Sequence, residues 1–122
     1  MKVYILDRRS KSRDQMLGWL SEDKRVIELK AFEDYIQFIE QIENSPPDFC
    51  IIRLGQDDIP GFQAADMVRQ KSFTIRIIFL SDNRDYALDA FEVRADGYLL
   101  CPVKRAKLEK CLMINEESEA NE

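Results

Sequence analysis

Pro47-Asp48-Phe49-Cys50-Ile51-Ile52-Arg53-Leu54 holds a run of apolar residues of strand length between a double-proline break and a charged end. A run apolar on both of its alternating faces belongs to a strand covered on both sides, as in parallel sheets flanked by helices. Working outward, the rest of the chain alternates in the same way. Val3 to Leu6 is a second short apolar run, closed by Asp7. Met16, Leu17, Trp19 and Leu20 then mark a helix face over 13–20, with Ser10 or Ser12 placed to cap its start. Ile27, Leu29 and Ala31 alternate with Glu28 and Lys30, the pattern of a half-exposed edge strand. Phe32, Tyr35, Ile36, Ile39 and Ile42 recur at helical spacing until Asn44-Ser45-Pro46-Pro47 ends the pattern.

On the other side of the opening run, 55–61 is a polar loop, and Phe62, Ala65, Met67 and Val68 line a helix. Residues 75–80 form the next strand, Ser81-Asp82-Asn83 a turn and cap, and 86–93 a helix. Gly97-Tyr98-Leu99-Leu100 reads as a fifth strand, and 103–114 as the last helix. Five strand–helix pairs with short loops predict an α/β, doubly wound (βα)₅ three-layer sandwich. The domain spans residues 1–115, and 116–122, with four Glu, is read as an acidic disordered tail.

The chain has 122 residues, 18 Lys+Arg against 23 Asp+Glu, a net charge of -5 and no histidine. That length suits one core. The missing histidine removes His-based nucleophile activation and every His-ligated metal site. The negative balance argues against a nucleic-acid-binding domain, which needs positive charge on at least one face. Cys50, Cys101 and Cys111 are odd in number and lack CxxC spacing, so neither a disulfide framework nor a zinc site is expected. No segment reads as a signal peptide or membrane span, and the reading is a cytoplasmic protein.

The residues that close the strands are Asp7 with Arg8, Arg53, Ser81 and Cys101. Ligands of open parallel sheets sit beyond those carboxyl ends. Pro47-Asp48-Phe49-Cys50-Ile51-Ile52-Arg53, Gly61, Phe79-Leu80-Ser81 and Gly97-Tyr98-Leu99-Leu100-Cys101-Pro102-Val103 resemble the receiver domain of bacterial two-component response regulators. The resemblance covers nearly the whole chain. It is most specific from Asp85-Tyr86-Ala87-Leu88-Asp89-Ala90-Phe91 through Ala95 to Val103, where it is most similar to receivers of LytTR-type transcriptional regulators. It implies a flavodoxin-like or CheY-like sheet in the order 2-1-3-4-5.

In that family two acidic residues after the first strand hold Mg²⁺, an Asp ending the third strand takes a phosphoryl group, and a Ser/Thr and a Lys follow the fourth and fifth strands. The resemblance places Asp7, Arg8, Arg53, Ser81 and Cys101 at these positions, with Gly55 offering a backbone carbonyl. It makes Ser81 and Tyr98 the switch pair and Cys101-Pro102 a cis-proline step.

Three of the five pocket residues depart from the pattern. Arg53 has no nucleophilic lone pair, and phosphoryl transfer to a protein needs a nucleophile such as a carboxylate. Asp7, Arg8, Arg53 and a neutral Cys101 sum to +1, which opposes Mg²⁺. The expectation is a degenerate receiver in phosphorelay signalling, neither an enzyme nor a cofactor binder. It would work by protein contact through its α4-β5-α5 face, with a signalling partner or as a homodimer, touching neither nucleic acid nor membrane. In this reading Arg53 pairs with Asp7, while the mixed charge of Lys104, Arg105, Lys107, Glu109 and Lys110 faces solvent or the acids of a partner.

The alternative is an anion or thiol-redox sensor built from Arg8, Arg53, Ser81 and Cys101, with two arginines lowering the Cys101 pKa. Asp57-Asp58, in the loop after Arg53, reads as a solvated turn.

Overall fold

Val3, Tyr4, Ile5, Cys50, Ile51, Ile52 and 77–80 have no accessible surface, which only the interior strands of a helix-covered sheet achieve. The computed structural model describes residues 1–55 and 59–120. Its strands are β1 (Lys2–Leu6), β2 (Glu28–Phe32), β3 (Phe49–Arg53), β4 (Arg76–Ser81) and β5 (Gly97–Leu100). All pair in parallel, in the order β2-β1-β3-β4-β5. The order expected from the resemblance is the order found. The Glu28 and Lys30 alternation does mark an edge, because β2 pairs on one side only.

The helices are α1 (Ser10–Ser21), α2 (Tyr35–Asn44), α3 (Ile59–Lys71), α4 (Ala87–Glu92) and α5 (Arg105–Ala120), with a 3₁₀ turn at Arg84–Tyr86 leading into α4. Strand side chains alternate between faces, and two cores follow. Val3, Ile5, Phe49, Ile51, Ile78 and Leu80 pack with Met16 and Leu20 of α1 and Leu108 and Leu112 of α5. Tyr4, Cys50, Ile52, Ile77 and Phe79 pack with Phe38 and Ile42 of α2, Ala64, Ala65 and Val68 of α3, and Ala90 of α4.

Two local readings differ. Neither Ser10 nor Ser12 caps α1; Arg9 is the N-cap and makes no side-chain cap bond. α5 is helical to Ala120, through most of the segment read as a tail, and 121–122 lie outside the described residues.

One buried cation holds the far side of the sheet together. Arg69 of α3 is 8% exposed and donates to the carbonyls of Val93, Ser72, Ile75 and Arg94 and to Asp96. Arg94, at φ 57°, occupies the left-handed region, and its guanidinium lies 5.3 Å over the Phe73 ring. Arg69 thus fixes the turn between α4 and β5 from the inside.

Candidate functional site

Parallel strands end together, so the residues after β1, β3, β4 and β5 converge at one rim of the sheet. Asp7 is 1% exposed there. Its Oδ1 accepts from the Arg9 amide at 2.8 Å, and its Oδ2 has no partner among the described residues. Its carbonyl accepts from Arg13 Nη1 at 2.9 Å, and Arg13 also pairs with Glu33 at 2.8 Å, tying the loop after β1 to the loop after β2.

Arg53 closes β3, and its side chain is 9% exposed. The expected pair with Asp7 is not formed. Instead Nη2 binds Asp82 Oδ2 at 3.1 Å, and Nη1 donates to Cys101 Sγ at 2.8 Å and Ser12 Oγ at 3.3 Å. Both neighbours of β3 are followed by an Asp, and the guanidinium turned toward the one after β4. Its Nε–H is buried without a partner among the described residues. Asp82 Oδ2 also accepts from Arg9 Nη1 at 3.2 Å, so one exposed carboxylate oxygen joins two arginines. Sequence reasoning had Asp82 only as a turn residue and Ser12 only as a possible cap; nothing in a single sequence says which neighbouring loop Arg53 will reach.

Ser81 is buried at the end of β4, but it is not the cap of the following turn. Asn83 is, accepting from the Asp85 amide at 2.8 Å. The Ser81 hydroxyl accepts from the Asn83 amide at 3.0 Å and donates to the Asn83 carbonyl at 3.2 Å. The Tyr98 hydroxyl of β5 donates to that same carbonyl. The two residues named as a switch pair therefore meet at one oxygen.

Cys101 follows β5, its amide bonded to the Ser81 carbonyl at 2.8 Å, and the Cys101-Pro102 peptide is cis. The thiol does not follow the electrostatic reading. Burial pushes its pKa up, and the opposing Arg53 charge is the smaller effect. The thiolate argument for a redox sensor loses its premise, because desolvation outweighs one guanidinium.

Arg8 is exposed and has no hydrogen-bond or ion-pair partner among the described residues. With Leu6, Asp7, Arg9, Glu33, Tyr35, Arg53, Gly55, Pro60 and Gly61 it lines a cavity of about 250 Å³. Asp57 and Asp58 lie outside the described residues. Among the described residues no three His, Cys, Asp or Glu side chains cluster as a metal site would need. No helix there is long and apolar enough to cross a membrane.

The model of the response regulator receiver domain matches residues 3–113. Sensory transduction protein LytT of Bacillus cereus is 28% identical over 113 residues, covering 92% of this chain and 46% of that protein. Transcriptional regulatory protein BtsR of Escherichia coli is 28% identical over 112 residues, with the same coverages. The chain thus spans about half the length of the curated relatives it matches. The response regulatory domain of protein mrkE from Klebsiella pneumoniae superposes with a TM-score of 0.83 at 20% identity, over 100% of both chains.

Proposed function

The chain belongs to the response regulator receiver domain family, the signalling module of two-component systems, and on that premise we propose that this member signals by protein contact without aspartyl phosphorylation. The observation that carries the proposal is the Arg53 guanidinium. It stands at the phosphoacceptor position and is bonded to Ser12 of α1 and to Asp82 and Cys101 in the loops that follow β4 and β5. One side chain thus ties α1 to the loops after β4 and β5. The pocket is held in one arrangement by its own cation.

The donor set does not fit Mg²⁺, a hard cation that seeks an octahedron of oxygens. Asp7 has already given one oxygen to the Arg9 amide, and arginines occupy the positions of the other two acids. A divalent ion would be repelled by guanidinium groups on two sides. We therefore place Mg²⁺ chemistry and any enzymatic role outside this domain's function, and read it as a cytoplasmic module.

The output is assigned to the face of α4, β5 and α5, and the partner to a second copy or a signalling protein. Leu88 and Phe91 of α4 and Leu100 of β5 are exposed apolar side chains on contiguous elements. Asp85, Asp89 and Glu92 flank them on the α4 side, and exposed Lys104, Lys107 and Lys110 lie on and before α5. Paired through a two-fold axis, acids meet lysines around an apolar centre.

The test has two parts. The chain is incubated with acetyl phosphate and Mg²⁺ and weighed intact; no phosphoryl mass increment is expected, and a stoichiometric one sinks the reading. Sedimentation of wild type and Phe91→Glu then asks whether the apolar face drives self-association. Loss of a wild-type dimer in the variant supports a second copy; a monomeric wild type assigns the face to another protein.

A further inference from the structure

β2 is an edge of the sheet and is bonded to β1 alone. The Asp7 amide takes the Phe32 carbonyl at 3.0 Å, so Phe32 turns its carbonyl toward β1. Backbone groups alternate along a strand. Lys30 therefore faces β1 as well, while Leu29 and Ala31 present N–H and C=O to the open edge. Side chains alternate too. Leu29 and Ala31 pack on the core shared with α1 and α5, and Glu28 and Lys30 stand on the other face, each with 43% of its side chain exposed. Ile27, just before the strand, is 83% exposed.

An open edge accepts another strand, and the charges on it decide which one. Glu28 holds Lys2 through Oε2 at 3.2 Å, but its Oε1 lies 3.8 Å from Lys30, a loose contact that is the ion pair of Lys30 among the described residues. A copy of the same strand, antiparallel and centred on Leu29, sets Glu28 opposite Lys30 of that copy and Lys30 opposite its Glu28. Leu29 then exchanges both backbone bonds with its counterpart, which makes the flanking Glu–Lys positions non-hydrogen-bonded pairs, with Cα atoms about 4.5 Å apart. Along one strand the same two residues are about 6.6 Å apart, so each charge finds its nearer partner across the edge. Moving the axis by one residue sets Glu28 against Glu28 or Lys30 against Lys30, and a parallel in-register pair does both.

We propose that the β2 edge is a self-association surface, on which two copies pair their Glu28–Phe32 strands antiparallel about a two-fold axis at Leu29 and join two five-stranded sheets into one. The edge is complementary to itself in this register. On the apolar side Leu29 meets Leu29, and Ile27 comes opposite Ala31 and loses its exposure to water. The contact is isologous and closes on itself. It leaves α4, β5 and α5, at the opposite edge, free for another protein, and it does not rest on the face assigned above.

The experiment is sedimentation equilibrium of the 122-residue chain at low salt, from about 10 μM to about 1 mM, a span that captures a weak contact of modest area. Wild type is expected as a reversible dimer. Lys30→Glu sets Glu against Glu at both pairs, and Glu28→Lys sets Lys against Lys. Each should weaken the dimer by more than about tenfold, because two attractive pairs become repulsive. An equimolar mixture of the two variants restores opposite charges at both pairs and should associate about as tightly as wild type.

Glu28→Lys also loses the Lys2 pair within its own chain, so circular dichroism checks its fold. Lys30→Glu keeps that pair and carries the test alone if the other variant does not fold: its dimer should recover toward wild type as salt screens the like charges. Phe91→Glu should change the dissociation constant by less than about twofold, since it lies on α4. A monomeric wild type overturns the proposal, as do single variants that associate like wild type or a mixture of folded variants no tighter than its components. A dimer abolished by Phe91→Glu also overturns it and places the second copy on the α4 face.

Discussion

The pair between Arg53 and Asp82 should carry a measurable coupling although one partner is largely in water. The perturbation is a double-mutant cycle of Arg53→Met and Asp82→Ala, followed by urea unfolding. At the observed 3.1 Å, the Coulomb attraction is about 1.3 kcal/mol in bulk water and about 5 kcal/mol at an effective dielectric of ~20. Arg53 is 9% exposed and Asp82 59% exposed, so the pair straddles these limits and solvent screens the carboxylate end. The ordinary range for an exposed pair is about 0.2–1 kcal/mol, and the buried guanidinium moves this one to the upper end, about 1 kcal/mol. The Arg9–Asp82 pair, 46% and 59% exposed, should give a coupling about a third as large in the parallel cycle.

Linear extrapolation reads the coupling as a shift in midpoint at constant slope. It corresponds to about 4 °C in Tm for a chain of 122 residues. Raising salt should erode the Arg9 coupling before the Arg53 coupling. Equal couplings for the two arginines, or an Arg53 coupling under about 0.3 kcal/mol, would refute the assignment of Arg53 as the cation that holds the loop after β4.

Other perturbations reach other parts of the fold. Arg69→Met should cost about 3–5 kcal/mol in urea unfolding, because it removes the buried guanidinium that donates to the carbonyls of Val93, Ile75 and Arg94. A loss under about 1 kcal/mol would mean that water replaces it. Gly61→Ala places a Cβ 2.6 Å from Cδ2 of the buried Leu54, which has to shift, and should cost about 1–3 kcal/mol. Burial raises the pKa of Cys50, Cys101 and Cys111 in the folded chain. Above the ordinary thiol value of about 8.5 the unfolded chain ionises first and binds fewer protons, so stability falls as pH rises through that range. The slope should approach about 1.4 kcal/mol per pH unit for each fully buried thiol, and Cys50→Ala should flatten it. An unchanged slope in that variant would contradict the burial argument.

The sheet was legible because its interior strands must be apolar on both faces, and Phe49 to Ile52 and Ile77 to Leu80 are. The edge was legible from Glu28 and Lys30, since charge on alternate positions is tolerable only where one face meets water. The pocket was legible as a set of positions but not as a set of bonds. Arg53 ends a strand flanked by β1 and β4, each followed by an Asp, and its long side chain can reach either loop; only packing decided for Asp82. The Cys101 error has a similar origin. Charges can be counted along a sequence, but the extent of desolvation depends on the cis-proline loop and the neighbours it brings, and here desolvation is the larger effect. Asn83 was legible as part of a turn and cap, but not as the meeting point of Ser81 and Tyr98, because its main-chain carbonyl, not its side chain, is where the two hydroxyls meet.

That carbonyl oxygen has two lone pairs, and Ser81 and Tyr98 occupy both. It is therefore saturated: a third donor can enter only by evicting one of the two. A water or a partner's amide approaching the turn has to compete with a phenol and a buried hydroxyl together, which makes the oxygen a valve with a count of two. The orientation of the Tyr98 ring and the position of the turn are not separate degrees of freedom. They are entries in the same exclusion rule, and whatever rotates the tyrosine outward leaves an acceptor vacant that the next molecule to dock can fill.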